Sequence, residues 1–354
     1  MDKISVNVSK KYDILVGRGV IDNAHAIISN YCPKGKIAIV TDDIVDGLYG
    51  NKLLNSLIEA GYVACKFVFE NGEKAKCFKT LSEILEFLAI HSFKRDDCLI
   101  ALGGGVVGDI TGLSAALYMR GIKFIQIPTT LLAMVDASIG GKTAVDLKAG
   151  KNLAGAFWQP SLVVCDIDII EKLPKDIFTE GMGEVIKYDV IGNYGIMNDI
   201  LQNKLMDNLS KTILNCIEFK KKVVEEDEFE TKGIRKILNV GHTIAHGIEK
   251  ISNYEISHGY AVGTGLVWEA AIAYKLNLCP LNLFELIKKV VIMSGLLVNL
   301  DCDKRDLIDA MKNDKKNSDD LISFILPIEL GNCVEKKLST DELEYLLGGI
   351  DSLL

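Results

Sequence analysis

An α/β domain with a mostly parallel sheet, followed by a mostly α-helical domain, is the architecture this sequence predicts. Three observations point to it. Short β-rich runs alternate with helical patterns over about the first 170 residues. Beyond Pro174 the texture changes to long helical segments. Three of the chain's five histidines then crowd into residues 242–258, each beside a glycine or within a residue or two of one. Strands alternating with helices of this length form βαβ units and a parallel sheet. A chain of 354 residues has room for two domains. The expected division is residues 1–170 and residues 171–354.

Taken in order, KIAIVT (36–41) is the first β-rich run, followed by the helical pattern GLYGNKLLNSLIEAG. VACKFVF (63–69) and the helix CFKTLSEILEFLAIHS form the next pair. DDCLIALG (96–103) runs into the turn GGGVVGD and the small-residue helix ITGLSAALYM. KFIQIPTT (123–130) is the fourth strand, and SLVVCDIDII (161–170) is the last of this half. Between them lies a long polar connection, Thr129 to Pro160, with neither strand nor clear helix in its pattern. The second half reads as helices around DIFTEGMGEVIKYDVIG, NLSKTILNCIEFKKKVVEEDE, YAVGTGLVWEAAIAYKL and NLFELIKKVVIMSGLL, with one short strand, LISFILPI (321–328).

Composition narrows the function classes. The net charge of −8 argues against a general nucleic-acid binder, which needs a basic footprint. Lys or Asp breaks every apolar run before about 18 residues, so no membrane span is expected. The N-terminal MDKISVNVSKKYD has no apolar signal core, so a cytoplasmic location is expected. The nine cysteines form no CxxC pair and are expected to be reduced structural thiols.

Four local features carry chemistry. The turn ALGGGVVGD ends a strand and opens a helix, so its backbone N–H groups can approach a phosphate; a tight structural turn is the plainer alternative. GEKAK (72–76) ends another strand and PTT (128–130) ends the fourth, so both can line the same crevice. The long connection places Asp136, Lys142, Lys151 and Asn152 among glycines, which suits an anionic substrate or, more plainly, a solvated loop. In GMGEVIKYDVI, Glu184 and Lys187 share one helix face. Glu184 is either half of a helix ion pair or the acidic ligand of a His/His/Glu zinc site. His242 and His246 are four apart and share a face, so spacing alone makes them the metal pair; two hydrogen-bonded core histidines are the alternative.

The chain resembles the 3-dehydroquinate synthases over almost its whole length. The matching stretches are GEKAK, GGGVVGDITG (103–112), YMRGIKFIQIPTTLLAMVDASIGGKTAV (118–145), GKNLAGAFWQP (150–160), EVIKYDVI (184–191), DEFETKGIRKILNVGHTIAHGIE (227–249), HGYAVGTG (258–265) and DKK (314–316). The resemblance implies an NAD-binding α/β domain, a helical metal- and substrate-binding domain, and a homodimer. It implies conversion of 3-deoxy-D-arabino-heptulosonate 7-phosphate to 3-dehydroquinate and phosphate, in the shikimate route to aromatic amino acids. The implied course is transient oxidation by NAD, phosphate elimination, reduction and intramolecular aldol closure. Another sugar phosphate cyclase, or an NAD- and metal-dependent polyol dehydrogenase, is the alternative.

Carried over by position, the resemblance makes Glu184, His242 and His258 the ligands of Zn2+ or Co2+. It assigns Asp42, Glu73, Lys76, Gly104, Gly105, Asp109, Thr129, Thr130, Lys142 and Lys151 to NAD. Asp136, Lys142, Asn152, Lys187, Lys220, Arg235, Asn239 and His246 fall at substrate positions. Arg120 would reach the phosphate of a neighbouring subunit, and Lys315 or Lys316 would reach it within the chain. The sequence departs from the family pattern in four places. Asp42 stands where Asn is frequent, Lys172 where Thr is expected, Ala245 where Gly is usual, and Lys232 is a one-residue insertion.

Overall fold

The chain is described by a computed structural model covering residues 1–33, 35–312 and 321–354. Two units are distinguished. Unit 1 comprises Met1–Leu173 with Lys220–Phe229, and unit 2 comprises Pro174–Phe219 with Glu230–Leu354.

The centre of unit 1 is built from β3 (Lys36–Asp42), β4 (Val63–Phe69), β5 (Cys98–Gly103) and β6 (Lys123–Pro128), all parallel. Side chains on a strand alternate between faces. Ile37 and Ile39 of β3 therefore join Ile100 and Leu102 of β5 on one face, while Ala38 and Val40 join Leu99 and Ala101 on the other. Both faces are covered, so these strands read as unbroken apolar runs rather than as alternating ones. The sheet is extended by β9 (Leu162–Asp166), which lies parallel to β6, and by β1 (Asp2–Val6) and β2 (Tyr12–Gly17). The full order is β1-β2-β9-β6-β5-β3-β4, and only the β1–β2 pair is antiparallel.

Three expectations require correction here. β1 and β2 went unrecognised. They lie at one end of the sheet; the exposed Asp2 and Lys3 dilute the pattern of β1, and the half-buried Asp13 interrupts that of β2. The run 161–170 is a strand only to Asp166 and continues as a helical turn, Ile167–Ile170. The Asp166 carboxylate stops the strand by accepting from the N–H groups of Asp168, Gly19 and Ile21. The connection from Thr129 to Pro160 is largely ordered. It contains a helical turn, Ala133–Ala137, and the antiparallel hairpin β7 (Lys142–Leu147) and β8 (Gly150–Phe157). Its small residues hide the strand pattern but allow close approach: a Cβ on Gly155 would lie 2.1 Å from the Thr143 carbonyl oxygen.

Unit 2 contains the helices Lys175–Gly192, His242–Ile251, His258–Lys275 and Leu281–Met293, among others. The run 321–328 is one strand of a hairpin, β10 (Leu321–Glu329) paired with β11 (Asn332–Ser339). Among the described residues no helix is long and apolar enough to cross a membrane. All nine cysteines are free, and Cys32, Cys98, Cys165, Cys216 and Cys279 are buried.

Candidate metal centre and nucleotide turn

In unit 2 glycines bring three helices into backbone contact. A Cβ on Gly183 would stand 2.3 Å from the Gly259 carbonyl oxygen, and one on Gly259 would stand 1.8 Å from that of Glu180. The residues next to this crossing are Glu184 and His258. A Cβ on Gly265 would lie 1.9 Å from the Gly241 carbonyl oxygen, which draws in the start of the His242–Ile251 helix. Glu184, His242 and His258 therefore converge, with one ligand atom from each lying within 4.8 Å of the others.

Glu184 Oε1 is 3.2 Å from His242 Nε2 and 3.1 Å from His258 Nε2. Two ligands of a tetrahedral zinc bound at about 2.0–2.1 Å stand roughly 3.3 Å apart, so the donor set fits such an ion. Each imidazole uses its other nitrogen elsewhere. His242 Nδ1 is 3.0 Å from the Val240 carbonyl oxygen, and His258 Nδ1 is 3.2 Å from Glu249 Oε2. Lys187 Nζ lies 2.5 Å from Glu184 Oε2, and both side chains are buried.

The electrostatics divide the two histidines. Burial favours neutral Glu184, but Lys187, His242 and His258 outweigh it and hold the carboxyl well below its usual range. Burial pushes His242 down to about 4 against the pull of Glu184. For His258 burial is overcome by Glu184 and Glu249 together, which raise it to about 10. His246 sits beside both rings, with centroids 5.6 Å from His242 and 6.3 Å from His258. It is not among the converging ligand atoms. The i, i+4 spacing thus placed His246 near the centre but not in it.

Two buried carboxylates near this centre were not singled out in the sequence. Glu249 is seven residues beyond His242 on the same helix. Glu269 accepts from the Gly241 N–H at 2.6 Å and from the Ile244 N–H, the start of the His242 helix, where Gly241 has no side chain to cap it. Burial raises Glu269 to about 8. The signal for Glu269 was a lone acid in the apolar run LVWEAAIA. In the same unit Arg235 is buried and Asn239 is half-buried.

In unit 1 the helix Gly105–Leu117 starts directly beyond β5, with Gly104 extended before it. Gly103, Gly105 and Gly108 stand at G-x-G-x-x-G intervals. The third glycine brings the helix onto the sheet, since a Cβ on Gly108 would lie 2.7 Å from Gln126 Oε1. Thr129 donates its N–H to the Gly103 carbonyl, and Thr130 Oγ1 accepts from Ala133. Lys76 is buried and bridges Asp109 at 2.5 Å and Asn152 Oδ1 at 2.6 Å. Lys151 Nζ is 3.6 Å from Glu73, and Lys220 Nζ is 3.0 Å from Asp136 Oδ2. Asp42 is buried, and its Oδ1 caps a short helix by accepting from Val45. Lys142 and Arg120 are exposed, Arg120 with φ +62°. Lys315 and Lys316 lie outside the described residues.

Comparison with known proteins agrees with this layout. Sequence models for the 3-dehydroquinate synthase N-terminal and C-terminal regions match residues 66–180 and 181–317. The chain is 40% identical over 356 residues to a 3-dehydroquinate synthase of Alkaliphilus metalliredigens, covering 98% of each. It is 40% identical over 350 residues to that of Clostridium kluyveri, covering 97% of each. A solved 2-deoxy-scyllo-inosose synthase, complexed with carbaglucose-6-phosphate, NAD+ and Co2+, shares the fold at TM-score 0.88 and 24% identity, over 98% of this chain and 99% of that one. A 2-epi-5-epi-valiolone synthase from Streptomyces hygroscopicus, with NAD+ and Zn2+ bound, does so at TM-score 0.88 and 24% identity, over 99% of each.

Proposed function

The chain belongs to the 3-dehydroquinate synthase family of phosphate-eliminating lyases, and on that premise we propose how its own residues serve the conversion of 3-deoxy-D-arabino-heptulosonate 7-phosphate to 3-dehydroquinate and phosphate. Glu184, His242 and His258 hold a divalent cation, zinc or cobalt. The turn at Gly104 and Gly105, with Asp42, Glu73, Lys76, Asp109, Thr129, Thr130, Lys142 and Lys151, holds NAD. When bound, the cation would supply acidification of the substrate hydroxyl to be oxidised, and NAD would supply hydride transfer.

The remaining work belongs to positioned side chains. Lys142, Lys220 and Arg235 grip the substrate carboxylate, Arg235 through its planar fork. Asp136 keeps Lys220 extended toward it. Lys187 neutralises the buried Glu184 and donates to a substrate oxygen. Asn152, Asn239, His246 and a lysine of the DKK stretch hold the phosphate, with Arg120 contributed by the second subunit of a homodimer. His246, next to the metal centre but outside the ligand set, exchanges a proton at the departing phosphate. Holding one substrate through successive steps makes orientation the main contribution of the protein.

The observation that carries this reading is the convergence of Glu184, His242 and His258 beside Lys187 in a chain of this family. Chelator treatment should abolish phosphate release, and added zinc or cobalt should restore it. Full turnover in metal-free protein would overturn the reading.

A further inference from the structure

The two ligand histidines resemble each other in one respect and differ in another. Each is the first residue of its helix, His242 of His242–Ile251 and His258 of His258–Lys275. Each points Nε2 at Glu184 Oε1. A neutral imidazole carries one N–H, so whichever acceptor faces Nδ1 decides whether Nε2 keeps a free lone pair for a metal. For His242 that acceptor is the Val240 carbonyl oxygen, two residues back in the same chain. For His258 it is the carboxylate of Glu249, which comes from the other helix.

The geometry of Glu249 suits this task. It is 4% exposed and lies two helical turns beyond His242, on the same face. Its Oε2 reaches His258 Nδ1 at 3.2 Å while His258 Nε2 stands 3.1 Å from Glu184 Oε1, so the ring is held from both ends. The helix bearing one ligand thereby fixes the orientation of the other. A backbone carbonyl can orient a ring but brings no charge, whereas a carboxylate also makes the imidazole a stronger donor.

We propose that Glu249 is a positioning residue of the metal centre, fixing His258 with Nδ1 protonated and Nε2 turned to the cation. It touches neither substrate nor cation. The inference rests on the reading of Glu184, His242 and His258 as the ligands.

The test is zinc affinity of the full chain, measured by competition with a chromophoric chelator, for the unmodified protein, His242→Ala and Glu249→Gln. Glu249→Gln keeps size and shape but loses the charge. It should bind zinc about 10–100-fold more weakly, the usual cost of removing such a partner. Its NAD affinity should match that of the unmodified protein, and its cobalt-loaded visible spectrum should change. A merely structural Glu249 predicts the reverse: unchanged zinc affinity and an unchanged cobalt spectrum. That result would overturn the inference. If instead the unmodified chain and His242→Ala bind zinc equally, the ligand reading itself fails, and Glu249 loses its role with it.

Discussion

Gly183 and Gly259 meet so closely that a single methyl group on Gly183 would come within 2.3 Å of the Gly259 carbonyl oxygen. The next residue along one helix is Glu184, and the residue before Gly259 on the other is His258. The metal centre is therefore set by a backbone contact that tolerates no side chain. Gly183→Ala should force the helices apart, costing about 1–3 kcal/mol as overpacking does. Denaturant unfolding should show that loss, and zinc binding should weaken in the same variant. A variant as stable and as tight for zinc as the original would mean the crossing does not set the site.

The neighbouring histidines should separate by function. His258→Ala is expected to lose the metal, while His246→Ala should retain a full complement and lose rate by about 10²–10⁴-fold, the range for a lost acid–base group. Metal content by elemental analysis beside phosphate release distinguishes them. Loss of zinc from His246→Ala would return the site to the i, i+4 pair suggested by spacing.

The metal-free centre should depend on pH through His258. Its pKa of about 10 lies above the ordinary 6.5, because Glu184 and Glu249 stabilise the imidazolium. The stabilisation is fully present below 6.5 and is lost as pH rises through about 10. His242, at about 4, is neutral throughout that window. Zinc binding at pH 7 should thus release about one proton. Calorimetric enthalpies in buffers of different ionisation heat measure that number, and a value of zero would contradict the charge assignment.

Arg120 offers a test of the dimer. If it serves the partner's site, neither Arg120→Ala nor His242→Ala is active alone, yet each hybrid dimer contains one intact site. Random exchange of equal amounts should recover about a quarter of the unmodified activity. No recovery, in a mixture shown by mass to contain hybrids, would place Arg120 outside the partner's site.

Legibility in the sequence followed burial. The strands β3, β5 and β6 are largely buried, so their apolar runs stand out, and Glu184 announces itself as a charge in an apolar helix. β1 and β2 were hidden because charged residues interrupt their pattern. The β7–β8 hairpin was hidden because Gly155 and its small neighbours are chosen for backbone approach, which leaves no alternation to read. His258 and Glu249 could not be paired from sequence, since their contact depends on how two helices pack. Asp42, at a position the resemblance gives to NAD, caps a helix with one of its two oxygens, a contact that depends on the local turn.

The most direct measurement follows phosphate and reduced nicotinamide together during turnover of 3-deoxy-D-arabino-heptulosonate 7-phosphate with NAD and zinc. The account predicts one phosphate released per 3-dehydroquinate formed, with no NADH accumulating in the steady state. Steady NADH accumulation without phosphate release would contradict it and identify a polyol dehydrogenase instead.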